Sequence, residues 1–597
     1  MCGISGIISK KQMDKNIIIS MTDTILHRGP DGFGYHYGEN FVFGHRRLSI
    51  VDLSDAGEQP MKYMNRYVIT YNGEVYNHIE LRIELEAKGY KFKSHTDTEV
   101  IMASYDFWGV NCLSKFNGMW AFVIYDIEEK KYFISRDRFG KKPFYYYKSE
   151  EVFIFASEIK AILAHPEVKT NPNIEFLNNY LNDGCKEYIK ETAFENIYRF
   201  DFSSYFEGSI DELLGAFDMR KFWELKPNIS NEKFDESKVK EYSQKYYDLL
   251  EDAVRIRLRA DVKIGSALSG GLDSSSIVYL VNKLLKEQGK QELQETFSSI
   301  YKSDGTQDCD ESHYIDIMAN KLGVHSNQIE PKEDSVKQEY EKMIWHLENP
   351  PENSLMSSWH TFKLVASTDV KVTLDGQGAD EQLGGYLGYL MNYISSLSFV
   401  DMLNEAKLCL NIPYAKKYVI RSVAIGVFRI IFGEKITKFF IHKILKKDFE
   451  TSLNQKLVDD TMSNLMTLIH YADHTSMAFS IESRMPFMDY RLVEFLASVP
   501  ACYKMRNGWT KYLARVAFDG KLPDEVNWRE DKMGWPIPEK KWFEGTLREW
   551  FFQKSQNCNI CKKLKLTKNS DFSFRVKRLN LSFFEKLFFN TKHLKNI

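Results

Sequence analysis

The chain has 597 residues, 43% hydrophobic and 27% charged, with a formal net charge of -2. That length exceeds what one ordinary core serves, so two or more domains are expected, with the composition of a globular protein. The balanced charge gives no global pull toward nucleic acid or acidic substrates, and eight cysteines without regular spacing make no disulfide framework.

The first stretch is "MCGISGIIS". Removal of Met1 would leave Cys2 with both a thiol and a free α-amino group. That amine, with an ordinary pKa near ~8, can take the thiol's proton without a separate histidine. Lys10 and Lys11 follow the apolar run instead of preceding it, which is not the order of a secretory leader. A cytoplasmic, reducing location is therefore expected, where a cysteine nucleophile survives.

Residues 1–165 read as β-rich, with short alternating runs such as "YVITYNGEVYN" and "MWAFVIYD" between glycine turns. Residues 166–237 read as a connecting segment. From 238 to 545, longer helical periods alternate with strand–loop–helix units, the pattern of an α/β domain with a largely parallel sheet. Residues 546–597 form a basic, partly helical appendage; from 562 onward ten Lys/Arg stand against Asp571 and Glu585.

In the β-rich part, polar residues gather in "HRGPD" (27–31), "GHRRLSIVD" (44–52), "NGEVYN" (72–77) and "SHTDTEV" (94–100). A thiolate attacking an amide needs donors aimed at the developing oxyanion. Asn72 offers a side-chain amide, and Gly73 a backbone N–H that no Cβ obstructs. Arg47 can fork onto the carboxylate of a free amino acid, while Glu74 or Asp97 can accept its ammonium.

These motifs, with "RDRFGKKPFYY", resemble the class II glutamine amidotransferase domain. The resemblance implies an N-terminal-nucleophile (Ntn) hydrolase-type αββα sandwich in which Cys2 hydrolyses glutamine through a thioester and releases ammonia. Arg47, Leu48, Ser49, Ile50, Val51, Asn72, Gly73, Glu74 and Asp97 then fall on its glutamine-contacting and oxyanion positions.

The run "VKIGSALSGGLDSSSIVYLVNKLL" (262–285) reads as a buried strand, a glycine-rich turn and a helix. Ile277, Leu280, Val281 and Leu284 recur at helical spacing. Such a turn presents N–H donors and the positive end of a dipole to an anion. It lacks G-K-[ST], so it is not a Walker A loop. Asp273 inside it needs a cation between itself and a phosphate, a task that suits Mg²⁺. A second carboxylate-bearing loop, "VKVTLDGQGADEQLGGY" (370–386), places Asp380 and Glu381 among four glycines.

The two loops, with "SIESRMPFMD" (480–489) and "NGWTKYLARVAF" (507–518), resemble the pyrophosphate-loop ATPase domain of glutamine-dependent asparagine synthetases. The fold class implied for the whole chain is an αββα sandwich (α+β) followed by an α/β pyrophosphate-loop ATPase domain. The resemblance implies that ATP adenylates a carboxylate and ammonia displaces AMP. Ser269, Gly270, Gly271, Leu272, Asp273 and Ser274 would hold phosphates. Asp273 and Asp380 would hold Mg²⁺ through pyrophosphate, and Lys511 would meet the charge developing during adenylation. Leu268, Ser299, Asp375 and Gly376 fall at nucleotide-contacting positions. Glutamine, ATP and aspartate are the implied small molecules, and a homodimer is admitted as the assembly.

The family commonly has S-G-E-G-[AS]-D-E where this chain has "DGQGADE". Gln377 replaces a glutamate associated with proton removal from ammonia, and a glutamine cannot be a general base. Either another residue takes that role, or the acceptor is not aspartate but a sugar uronate or other carboxylate. The segment 395–455 is an insertion, basic and amphipathic from 416 to 449. It is either a helical insertion packed on the synthetase domain or an attachment to an anionic membrane surface or a partner glycosyl enzyme. Its stretch "YVIRSVAIGVFRIIFG" (418–433) carries Arg421 and Arg429 and is too short to span a bilayer. "CNIC" (558–561) lacks the further ligands that a zinc site needs.

Overall fold

The computed structural model describes all residues except 1, 231, 291–293, 446–448, 532–536, 565–570 and 590–597. Parts of the insertion and of the basic tail, including Lys565, Lys568, Lys592 and Lys595, thus lie outside the described residues.

Twelve strands form the first unit: β1 Gly3–Ser9, β2 Gly32–Tyr37, β3 Phe41–Arg47, β4 Met61–Tyr63, β5 Tyr67–Val75, β6 Gly118–Asp126, β7 Lys131–Arg136, β8 Tyr145–Lys148, β9 Val152–Ala156, β10 Ile197–Arg199, β11 Ser204–Gly208 and β12 Arg220–Lys221. They make two six-stranded antiparallel sheets, ordered β10-β8-β9-β1-β3-β2 and β12-β11-β7-β6-β5-β4. Alternation along the strands explains the sandwich. Ile4 and Ile8 of β1 enter a core with Phe43, Val68, Val123, Ile134 and Phe155 drawn from both sheets. Ile7, one step out of phase, faces the opposite way into a layer of helices.

The segment read as a connection, 166–237, is not merely a linker. Its strands β10, β11 and β12 complete the edges of both sheets. They are two to five residues long, too brief for a periodicity to stand out.

The second unit holds β13 Ile264–Ala267, β14 Glu295–Ser299, β15 His325–Ile329, β16 Val372–Leu374 and β17 Glu482–Arg484. All neighbouring pairs are parallel, in the order β15-β14-β13-β16-β17. Crossovers carry β13 through the helix Leu272–Glu287 to β14, with Ile277, Leu280, Val281 and Leu284 buried as their spacing requires.

Two shared cores join the units. Leu48, Ile50, Tyr76 and Met119 pack with Leu250, Leu268, Leu272 and Leu374. On the other side, Ile18 and Leu177 share a core with Trp359, Tyr471 and the C-terminal helix Phe572–Phe588. That helix is no loose appendage: Phe574, Leu579, Phe584 and Leu587 are buried. Its cations had masked an apolar face at helical spacing.

Candidate active sites

Cys2 stands just before β1, which is paired on both sides, so the nucleophile is carried by the middle of a sheet. Its backbone N–H donates to Oδ1 of Asn72 at 3.1 Å, and its carbonyl accepts from Nε of Arg28 at 3.3 Å. The Asn72 amide is thereby oriented with Nδ2 turned away, a buried donor without a hydrogen-bond partner among the described residues. An unpaired buried donor is costly unless a ligand completes it, and a donor so placed suits a developing oxyanion. Gly73 follows, and a Cβ there would overlap the Met119 carbonyl and Trp120 Cα on β6. Burial pushes the Cys2 thiol up.

The structure places the other expected glutamine ligands around this point. The Arg47 guanidinium donates to the carbonyls of Ser54, at 2.8 Å, and Asp52, so part of its fork is used to shape the loop that follows β3. Leu48 and Ile50 of that loop are buried against the second unit, and Val51 packs against the same core. The Ser49 N–H donates to Asp31 at 2.9 Å. The Ile50 carbonyl accepts from Asp261 N–H, and Asp52 N–H donates to the Asp261 carboxylate, both at 2.8 Å. Thus the loop after β3 is bolted to the second unit.

Asp97 begins the helix Asp97–Trp108, and its Oδ2 accepts from Tyr71 Oη and Val75 N–H at 2.7 Å each. Burial pushes both Asp97 and Glu74 above the carboxylate range, and for Glu74 the charge of Asp97 adds to it. A buried carboxylate pair of this kind calls for a cation, which suits the ammonium of an amino acid.

Several residues around Cys2 come from motifs whose individual members the sequence left without a role. Arg28 of "HRGPD" donates to Glu158 and, from the far unit, Asp473, each at 2.8 Å. Lys142 also donates to Asp473, at 3.2 Å. Arg484 of "SIESRMPFMD" lies 3.7 Å from Glu74 and donates to Glu482 at 2.6 Å. The motifs flagged Arg28, Lys142 and Arg484, but pairing across 331 to 445 residues leaves no local trace.

In the second unit, the turn after β13 brings Ser269, Gly270 and Gly271 to the N-terminus of the helix Leu272–Glu287. The Ser269 N–H donates to Ser274 Oγ at 3.1 Å. Leu268, Ser269 and Ser299 line one small pocket with Tyr301 and Glu311. Ser299 itself bonds to Thr361 Oγ1 at 2.8 Å. Gly376 meets this site from β16: a Cβ on it would come within 3.0 Å of the Ser274 nitrogen.

Lys511 joins the two carboxylate loops. Its ammonium pairs with both Asp273 and Asp380, supplying a cation where the sequence demanded one. Its backbone is left-handed, with φ of 54°, a conformation that non-glycine residues adopt mainly under tertiary constraint. Asp375 turns to the sheet: its Oδ2 accepts from Ser483 Oγ on β17 and its N–H donates to the Arg484 carbonyl at 2.8 Å. Burial raises it to about 6. Gln377 Oε1 is buried without a hydrogen-bond partner among the described residues.

Glu381 was singled out only as a loop carboxylate. It accepts from Tyr386 Oη at 2.7 Å, and burial, then the charge of Asp380, raises it to about 7. It borders an open cleft of about 380 Å³ with Tyr386, Tyr389, Asn392, Lys456 and Asp460.

Among the described residues no group of three or more His, Cys, Asp or Glu could hold a metal ion by itself. Asp273 and Asp380, two carboxylates beside a glycine-rich turn, do fit Mg²⁺, which keeps waters and takes few protein ligands. Cys558 and Cys561 are buried, with the Cys558 sulfur accepting from Cys561 N–H at 3.2 Å.

Fold and sites define a class: a glutamine amidotransferase unit joined to a nucleotide-binding synthetase unit. Residues 1–223 match the model of the glutamine amidotransferase domain, and residues 245–560 that of asparagine synthase. The chain belongs to the glutamine-hydrolysing asparagine synthetase family. It is 32% identical to asparagine synthetase [glutamine-hydrolyzing] 1 of Bacillus subtilis, over 93% of this chain and 90% of that one. It is 30% identical to asparagine synthetase [glutamine-hydrolyzing] 3 of the same organism, over 92% and 89%. A relative with another name, amidase chry2 of Gibberella zeae, is 27% identical over 94% of this chain and 92% of its own.

Proposed function

We propose that the chain is an ATP-dependent, glutamine-hydrolysing asparagine synthetase. Cys2 attacks the glutamine side-chain carbonyl, and Asn72 Nδ2 with the Gly73 N–H receives the oxyanion. Collapse expels ammonia and leaves a glutamyl thioester that water hydrolyses. In the second unit, the aspartate side-chain carboxylate attacks the α-phosphorus of ATP and pyrophosphate departs. Ammonia then adds to the acyl-adenylate, loses a proton and displaces AMP.

Ser269 to Ser274 receive the phosphates at a helix N-terminus. Lys511 faces the same point as Asp273 and Asp380. When bound, Mg²⁺ neutralises pyrophosphate charge, with Asp273 and Asp380 as its protein ligands. Glu381, held near 7 by burial and Asp380, takes the ammonia proton that Gln377 cannot accept.

The observation that carries this reading is the shared strand β17. Arg484 on it reaches toward Glu74 of the glutamine site, and Ser483 on it bonds Asp375 of the synthetase site. Ammonia is mostly protonated in neutral water, so two sites with a common wall favour local delivery. A second reading, amidation of a bulkier carboxylate such as a sugar uronate, is favoured by the open cleft beside Glu381. Pyrophosphate release assayed with glutamine and a panel of carboxylates distinguishes the two. Dependence on aspartate supports the first, dependence on a uronate the second, and release with none contradicts both.

A further inference from the structure

The insertion has a face that folding leaves uncovered. The helix Lys416–Phe432 turns Val419, Ser422 and Gly426 inward. Ser422 Oγ donates to the Leu390 carbonyl at 3.1 Å, and Arg429 to the carbonyls of Ser395 and Leu397. The helix is thus fixed to the segment Leu390–Ser396, whose Asn392 borders the Glu381 cleft. Its outer side carries Ile420, Ile430, Ile431 and Phe432, all exposed.

The next helix, Glu434–Leu445, repeats the arrangement. Thr437 and Ile441, four apart, are buried. Ile436, Phe439, Phe440 and Ile444 lie at i, i+3, i+4 and i+8 and face water, with Phe439 68% and Ile444 62% exposed. Phe428 packs on both Phe432 and Phe440, with ring centroids 4.5 and 5.1 Å apart, and so welds the two apolar stripes into one patch. An apolar patch of this extent on a folded protein marks an interaction surface.

Charge identifies the occupant. Between 416 and 444 stand seven Lys/Arg (416, 417, 421, 429, 435, 438 and 443) against Glu434 alone. Lys416, Lys417, Arg421, Lys435 and Lys443 are exposed around the apolar stripes. Among the described residues no helix is long and apolar enough to cross a membrane. A two-fold contact with a second copy would set these cations against their own equivalents. Aromatic and aliphatic side chains rimmed by lysines and arginines match an anionic bilayer, where the apolar stripe enters the headgroup–acyl boundary and the cations meet lipid phosphates. We propose that the helices Lys416–Phe432 and Glu434–Leu445 dock the enzyme peripherally on an anionic lipid surface.

The test is co-sedimentation of the purified full chain with vesicles of phosphatidylcholine alone or mixed with phosphatidylglycerol. Binding is expected to the mixed vesicles and to weaken as salt rises. The pair Ile431→Asp and Phe439→Asp should lower it by about tenfold or more, with glutamine hydrolysis unchanged as the check on folding. Should that variant fail to fold, Lys435→Glu with Lys443→Glu reads the charge contribution on an intact apolar face. No binding to phosphatidylglycerol vesicles overturns the proposal, as does binding that neither variant reduces. So does a wild-type dimer that Phe439→Asp converts to monomer without any lipid binding.

Discussion

The Cys2 backbone N–H and Asn72 Oδ1 are 3.1 Å apart, and this single bond fixes which end of the Asn72 amide is engaged. With Oδ1 occupied, Nδ2 is left as a buried donor without a partner among the described residues. Asn72→Ala should therefore lower glutamine hydrolysis by about 10²–10³-fold, the usual effect of losing one oxyanion donor. Cys2→Ala should abolish it. Ammonia-dependent pyrophosphate release should persist in both. Glutamate production measured alongside pyrophosphate checks this, and full glutaminase activity in Cys2→Ala would remove the nucleophile assignment.

Lys511 between Asp273 and Asp380 leads to a converse expectation. Replacing it with alanine leaves the buried Asp273 and the part-exposed Asp380 without their shared cation. Lys511→Ala, Asp273→Asn and Asp380→Asn should each stop AMP and pyrophosphate formation while glutamine hydrolysis without ATP continues. Undiminished pyrophosphate release in the three variants at saturating magnesium would show that the loops are misassigned.

The proton acceptor predicts a pH profile. Glu381 is raised to about 7, so its base form predominates only above that value. Amide formation at saturating glutamine should rise with pH through about 7. Glu381→Gln should remove that limb and cost about 10²–10⁴-fold. Glutamine hydrolysis alone should keep its own profile. A large gain on Gln377→Glu, with the limb unmoved by Glu381→Gln, would place the base at 377 instead.

How much of this was legible differs from residue to residue. The loop "SGGLDSS" and the helix behind it were readable because one glycine-rich turn sets the phosphate site and a 3.6-residue period sets the buried face. The apolar run in "MCGISGIIS" likewise marked the strand that follows Cys2. Strands β10 to β12 were not legible, because strands of two to five residues take their conformation from the sheet edge they complete. The buried face of Phe572–Phe588 was hidden under its lysines and arginines. Glu381 gave no signal of its own: its raised pKa comes from burial and from Asp380, both products of the tertiary fold.

The ion network between the units yields a stability prediction. Burial pushes Asp473 up, but Arg28 and Lys142 outweigh it and hold the carboxyl at about 2. Its contribution is present above the ordinary carboxylate value and is lost as pH falls through about 2. Asp473→Ala leaves buried cations underpaired and should destabilise the chain by about 3–5 kcal/mol at neutral pH. Denaturant unfolding followed at neutral and acidic pH checks this, and an unchanged midpoint at neutral pH would contradict it.

The central claim is that one chain makes ammonia at Cys2 and spends it at an acyl-adenylate. The direct measurement supplies glutamine carrying an isotope label in its amide nitrogen, with ATP, magnesium and aspartate, and follows the label by mass spectrometry. The account predicts labelled asparagine in step with pyrophosphate, one for one, and no label transfer in either Cys2→Ala or Asp380→Asn. Label found only in free ammonia, with no pyrophosphate released, would contradict it.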